Sequence, residues 1–256
     1  MRITVFASGS GGNCLLAESG GVCVLIDAGI SMRRMEQGLR QAGHTWQAIS
    51  GVLITHEHSD HISGLKTLLR YHPVPIFAPH TVASRLSGMV PESVPVLRTI
   101  PVGEPFPIGT LTVRAFHTSH DTDESVGYRL EDRDIFALAT DTGCVTEEIR
   151  NGLLGADAVL LEANHDTGRL LDGPYPFYLK RRILSERGHL CNADCAALAR
   201  TLCESGTRRI VLGHLSKQNN TPELALAAVS SALEGLDVQL SLAPPSGFLC
   251  IEVGAC

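Results

Sequence analysis

The run Thr55-His56-Glu57-His58-Ser59-Asp60-His61 sets three imidazoles and an aspartate within six positions. Burying so many polar rings without partners is costly, and if protonated they would repel one another. Neutral imidazole and carboxylate are the ligands that Zn²⁺ and similar divalent ions accept. In a loop that opens into a helix, alternate residues can reach one cation while Asp60 and His61 reach a neighbouring one. The plainer reading of the same residues is a solvated, His-rich turn. As a metal centre, the run would offer activation of water for hydrolysis.

The run directly follows Val52-Leu53-Ile54, an apolar strand, and so sits at a strand's C-terminal end. Upstream, β-rich runs are expected at 3–7, 14–18 and 22–26, with a helix over 31–42 that opens at Ser31 and ends at Gly43. Downstream, a helix through Leu65, Leu68 and Leu69, a short strand at Ile76 and a helix near 81–86 lead into strands at 97–100, 110–116, 125–130 and 135–139. The second half repeats the rhythm: helix 147–154, strand 158–162, helices over roughly 178–187 and 192–204, and strand 209–212. A last helix opens at Pro222, and strands at 238–242 and 248–253 close the chain. Meanders with helices between them, once per half, predict two sheets face to face with helices outside. The expected class is α/β (α+β), as one domain over residues 1–256.

Composition narrows the function. Of 256 residues, 44% are hydrophobic and 19% charged, which excludes wholesale disorder. Lys and Arg number 21 against 27 Asp and Glu, a net charge of −6, so no bulk basic coat binds nucleic acid, though a local basic groove is compatible. Aromatics at 5% argue against base-stacking platforms as the main binding device. The sequence contains no apolar run long enough for a membrane helix, and its start lacks the features of a signal peptide. The eight cysteines, at 14, 23, 144, 191, 195, 203, 250 and 256, form no CxxC pair. The expectation is a reduced, cytoplasmic protein with no membrane partner. Cys191 and Cys195, one helical turn apart, could hold a metal but read more simply as packing residues.

His-x-His-x-Asp-His after a hydrophobic strand resembles the signature of the metallo-β-lactamase superfamily, whose fold is a four-layer αββα sandwich with metals at one edge. The resemblance spans the chain. Asp27, in Ile26-Asp27-Ala28-Gly29, ends a strand as the family's structural aspartate does. One further histidine ligand is needed, and His117 and His120 both offer one. Nuclease-type members carry it a few residues before a Gly-Tyr-Arg strand, and Gly127-Tyr128-Arg129 fits with His120. Ala139-Thr140-Asp141-Thr142-Gly143 resembles the segment that supplies a bridging carboxylate, and Gly213-His214-Leu215-Ser216 the last ligand. The resemblance implies two divalent ions, Zn²⁺ first, with Mn²⁺ or Fe²⁺ as substitutes. One would take His56, His58, His120 and Asp141; the other Asp60, His61, His214 and the same Asp141. Two dications about 3.5–4 Å apart repel and need such shared negative ligands.

Within the superfamily, the full ligand set and the bridging aspartate favour hydrolysis of phosphodiesters or thioesters. The Gly-Tyr-Arg strand, Glu162 in Leu161-Glu162-Ala163-Asn164-His165 and His189 before a helix resemble the tRNA 3′-processing and related nucleases. The opening Ser8-Gly9-Ser10-Gly11-Gly12-Asn13 and the stretch after His214 resemble the YycJ/WalJ subgroup, associated with 5′→3′ exonuclease action on double-stranded DNA. By resemblance, Asp60 orients the nucleophile, and His189, oriented by Glu162, stabilises charge or protonates the leaving oxygen. Ser8, Asn13, His165 and Ser216 are the expected substrate-binding residues. Lys180-Arg181-Arg182 and Arg187 form either a solvated helix face or a strip contacting nucleic-acid backbone. The expected partner is nucleic acid, DNA before RNA, and the reading leaves room for a homodimer. Competing readings are a hydrolase of a small phosphodiester or thioester, a tRNA-processing-type ribonuclease, and a non-enzymatic metal-binding protein.

Overall fold

A computed structural model describes residues 1–254, and Cys256 lies outside them. The first half winds β1 (Arg2–Ala7), β2 (Cys14–Ser19), β3 (Val22–Ile26), α1 (Met32–Gln41), β4 (Ile49–Leu53), α2 (Ser59–Ile62), α3 (Leu65–Tyr71), β5 (Ile76–Pro79), α4 (His80–Met89) and β6 (Leu97–Ile100). Then follow β7 (Pro105–Ile108), β8 (Leu111–His117), β9 (Val126–Glu131), β10 (Ile135–Ala139), α5 (Glu147–Leu153), β11 (Ala158–Glu162), α6 (Thr167–Asp172) and α7 (Phe177–Ile183). The chain continues through α8 (Asn192–Glu204), β12 (Arg209–Gly213), α9 (Pro222–Ala232), β13 (Gln239–Leu242) and β14 (Leu249–Glu252). Among the described residues the strands form two seven-stranded sheets, β14-β1-β2-β3-β4-β5-β6 and β13-β12-β11-β10-β9-β8-β7.

Alternation along each strand decides which layer a side chain joins. Ile3 and Val5 of β1 and Val24 and Ile26 of β3 meet Val113, Tyr128, Leu138 and Leu160 in a core between the sheets. Phe6 and Leu25 face the other way, onto Met35, Leu39, Leu65 and Leu68 of α1 and α3. On the outer face of the second sheet, Ala137, Val159 and Ile210 meet Ile149, Leu198, Leu202 and Val229 of α5, α8 and α9. The layers are those of the expected αββα sandwich. Because β3 is covered on both faces, all five of its residues are buried, which is why it reads as an unbroken apolar run.

Three elements depart from the sequence reading. Strand β7 was not expected, because Pro105 and Pro107 lack amide donors. It lies at a sheet edge with β8 as its one partner, and the two prolines, two residues apart, turn the same side of the strand outward. Helix α6 follows Asp166, whose side chain accepts from Arg169 N. The helix expected over 178–187 starts one residue earlier and stops at Ile183. Beyond it residues 185–188 lie close against Gly143, where a Cβ would stand 2.2 Å from Ser185 O.

Strands β3 and β4 are parallel, as are β10, β11 and β12. Strands β8 and β10 are both antiparallel to β9 and so share a direction. The loops that carry the seven candidate ligands therefore all leave C-terminal strand ends. Among the described residues, no helix is long and apolar enough to cross a membrane.

Candidate metal centre

Three of these strand ends share an unusual backbone. Asp27, Asp141 and His214 have φ of 60°, 57° and 54°, the positive-φ non-glycine residues among those described. The left-handed conformation costs an L-residue about 1–2 kcal/mol, less for a short polar side chain, and residues held in it cluster at functional sites.

The loop after β4 is laced to its neighbours. The Asp27 carboxylate accepts from Thr55 N at 2.9 Å and from Thr55 Oγ1 at 3.0 Å. Asp60 O accepts from Asn13 N, and His61 O from Ala28 N, both at 2.8 Å. Gly29 makes this approach possible, since a Cβ there would lie 1.6 Å from Asp60 O. Glu57, the residue of the run without an expected role, turns away. Its Oε1 accepts from Thr122 Oγ1 at 2.5 Å and stands 3.0 Å from Arg85, which ties down the loop that bears His120.

His56, His58 and His120 bring one ligand atom each to within 4.8 Å of one another, and so do Asp60, His61 and His214; a third set, His56, His61 and Asp141, joins the two. Asp141 Oδ2 lies 3.2 Å from His61 Nε2, while its Oδ1 lies 3.7 Å from His120 Nε2 and 3.5 Å from His214 Nε2. Asp60 Oδ2 stands 3.6 and 3.5 Å from Nε2 of His61 and His214. All seven residues expected as ligands thus come together. His117, the rival of His120, points out of β8 and is half exposed, its Nδ1 3.0 Å from Glu148.

The buried rings are held in one orientation. Nδ1 of His61 meets Asp27 at 2.7 Å, that of His214 meets Glu162 at 2.9 Å, that of His120 meets Gly188 O at 3.1 Å, and that of His56 meets Thr55 Oγ1 at 3.1 Å. A ring that donates from Nδ1 presents Nε2 as the ligand atom. Nε2 of His56 and of His214 and Oδ2 of Asp141 are buried with no hydrogen-bond partner, which is rare unless something else satisfies them. His61 Nε2 instead has Asn13 Nδ2 at 3.1 Å, a contact that a cation there would have to replace.

Charge follows the same division. Burial pushes His56 down, and His120 likewise, towards the neutral imidazole that metals bind. Burial opposes charge on His61 too, but Asp27 and Asp141 outweigh it and raise its pKa well above the ordinary range. His214 is pushed up to about 10, because Asp141, Asp60 and Glu162 overcome its burial. Asp141 is held well below the usual carboxylate range, with His214 and His61 overcoming burial. The buried carboxylates thus favour positive charge beside His61 and His214, which a divalent cation would supply. The donor set and the unpartnered inward atoms fit divalent metal ions.

Glu162 is fully buried at the end of β11 and serves several groups at once. It accepts from Thr142 N at 2.8 Å and meets Nδ1 of both His214 and His189, the latter at 2.7 Å. It orients these rings rather than facing the cleft. His189, whose proton affinity Glu162 raises against the effect of burial, lines a cleft of about 180 Å³ with His120, Asp121, Arg182 and Ser216. The remaining expected residues fall elsewhere. Ser8 and Asn13 are buried, with Ser8 Oγ accepting from His214 N at 2.9 Å and Asn13 Oδ1 from Gly9 N at 2.9 Å. His165 is also buried, with neither ring nitrogen partnered, and does not line the cleft. Arg187, read as part of a basic strip, donates to the carbonyls of His120 and Thr122 and so fixes a ligand loop. Short-range patterns could not reveal these long-distance ties. Cys191 pairs with Asp194, Cys195 is buried, and neither joins a ligand cluster among the described residues.

Residues 23–215 match the family described as Beta-lactamase superfamily domain. The chain is 38% identical over 238 residues to Exodeoxyribonuclease YycJ of Bacillus anthracis, covering 91% of this chain and 89% of that protein. It is 36% identical over 244 residues to Exodeoxyribonuclease WalJ of Streptococcus pneumoniae, 93% of this chain and 90% of the relative. Among solved structures it is similar to the metallo-beta-lactamase fold protein YhfI from Bacillus subtilis, with a TM-score of 0.73 over 98% of this chain and 99% of that one; at 16% identity this is a likeness of fold. The chain belongs to the β-lactamase superfamily, as a metal-dependent hydrolase on the metallo-β-lactamase fold.

Proposed function

We propose that this enzyme is a dinuclear-metal phosphodiesterase acting on DNA as an exonuclease of 5′→3′ polarity. The observation that carries the reading is Asp141: its buried carboxylate stands between the two imidazole sets, 3.7 Å from His120 Nε2 on one side and 3.2 and 3.5 Å from Nε2 of His61 and His214 on the other. In this reading His56, His58, His120 and Asp141 hold one ion, and Asp60, His61, His214 and Asp141 the other. Zn²⁺ suits such donors, with Mn²⁺ or Fe²⁺ as substitutes. The ions would supply acidified water and withdraw charge from the phosphoryl group.

The chain's own residues do the rest. Asp60, 23% exposed in its side chain, accepts a hydrogen bond that aims the attacking water. His189, fixed through Nδ1 by Glu162, has Nε2 left to hand a proton to the departing oxygen. Ser216 and Ser10 line the cleft and can meet phosphate oxygens; Ser8, Asn13 and His165 support the site from behind. At about 180 Å³ the cleft is smaller than pockets that engulf a whole ligand, which supports a long substrate lying across it over a small diester or thioester. The names of the two relatives favour DNA over tRNA, and the setting we propose is the cytoplasm.

End-labelled duplex DNA and RNA, incubated with protein loaded with Mn²⁺ or Zn²⁺, test this directly. Stepwise shortening of DNA from its 5′ ends is expected. Turnover of RNA alone, or of a small model diester alone, would overturn the reading.

A further inference from the structure

Aromatics are scarce in this chain, yet the most exposed ones stand beside the cleft. Phe177 and Tyr178 are 75% and 74% exposed, above every other large apolar side chain described. They open α7, which also sends Leu179, Arg182 and Ile183 into the cleft wall beside His120 and His189. Leu171 and Leu184 extend the exposed patch. Cations accompany it. Lys180 Nζ donates to Leu171 O at 2.6 Å, and the Arg181 guanidinium lies 5.9 Å from the centre of the Phe177 ring. Neither has a carboxylate partner among the described residues, whereas Arg182 pairs with Asp121 and Arg187 is engaged by carbonyls.

We propose that this arm receives the end of the nucleic-acid chain, with Phe177 and Tyr178 stacking on bases and Lys180 and Arg181 meeting backbone phosphates. The inference rests on the nuclease reading above. A cleft that admits little beyond the reacting diester leaves the rest of a polymer to be held outside it. From Phe177 to Ile183 the helix advances about 9 Å, or two to three base steps at about 3.4 Å each, and neither ring lines the cleft itself, so the bases they would meet lie outside it. Aromatic faces accept any base and cations track any backbone, which suits an enzyme that must cut at every step. A second copy of the chain could cover the same rings, but a two-fold contact sets each patch against its twin and would bring Lys180 and Arg181 of both copies together.

The test compares the metal-loaded full chain with Phe177→Ala/Tyr178→Ala on labelled duplex DNA and on bis(4-nitrophenyl) phosphate. The ratio of duplex to small-diester kcat/KM is expected to fall about ten- to a hundredfold, mainly through duplex KM. The exchange Phe177→Tyr/Tyr178→Phe, which keeps both rings, should restore the wild-type ratio and so separates stacking from misfolding. An unchanged ratio in the alanine variant overturns the inference. So does a dimeric wild type that becomes monomeric in that variant with the ratio intact, because the rings then seal a contact between copies. A wild type that hydrolyses the small diester and leaves duplex untouched overturns the nuclease reading itself.

Discussion

The two ends of the sandwich hold similar side chains and behave differently. Opposite the ligand loops, Glu18, Cys23 and His44 also bring three ligand-type atoms within 4.8 Å. The depression there, about 790 Å³, is larger than the 180 Å³ cleft. Yet Glu18 is already satisfied. Arg2 Nε donates to one oxygen at 2.9 Å, and the other meets both Arg2 and His44. A guanidinium on the carboxylate repels any cation, and burial, then Glu18, push the Cys23 thiol up, away from the thiolate that metals need. At the other end, imidazole nitrogens and a carboxylate oxygen are buried without partners, and three non-glycine residues hold left-handed backbone. Residue type and cavity size therefore do not mark a metal centre. Unsatisfied buried atoms on strained strand ends do.

Asp141 is where that contrast is most exposed to failure. Asparagine there keeps the shape and tolerates φ of 57°, but it removes the shared negative charge. Asp141→Asn should lower turnover by more than about a hundredfold, beyond the effect typical of groups that merely orient ligands. Elemental analysis of the purified variant should show depleted metal. Full turnover with metal retained would remove Asp141 from the site.

How far sequence reaches is set by the range of the interactions involved. His56 to His61 were legible because a contiguous polar run after an apolar strand is a local pattern. Strands such as β3 and β11 were legible because burial on both faces leaves unbroken apolar runs. His120 was separated from His117 by resemblance alone; what decides between them is the reversal after β8, which leaves His117 outside against Glu148. Glu57 and Arg187 were read without their loop-fixing roles, because their partners at Thr122 and His120 lie 65 and 67 residues away. The 178–187 helix ends at Ile183, and the residues after it lie against Gly143, a contact that no window around the helix contains.

Glu162 sharpens the comparison, since it is the carboxylate that meets histidines at the metal end as Glu18 does at the other. Here the partners are His189 and His214, with Thr142 N and Leu190 N as further donors. Glu162→Gln keeps the volume but loses the charge that fixes both rings. Metal affinity and kcat should each fall about 10–100-fold, read by competition with a chelator and by steady-state turnover. A variant with wild-type values in both would make Glu162 a packing residue.

The smallest effect is expected at the far end. His44→Ala removes one of the two side chains that meet Glu18 and leaves the Arg2 contact in place. His44 is 24% exposed in its side chain and Arg2 39%, so the loss should resemble that of a surface ion pair, about 0–1 kcal/mol in denaturant unfolding. Metal content and turnover should match the wild type, because no buried, unpartnered ligand atom is removed. Loss of bound metal in this variant would mean that a carboxylate saturated by arginine can still hold a cation. Unsatisfied atoms would then no longer separate the two ends, and the assignment of the metal centre would have to rest on the ligand loops alone.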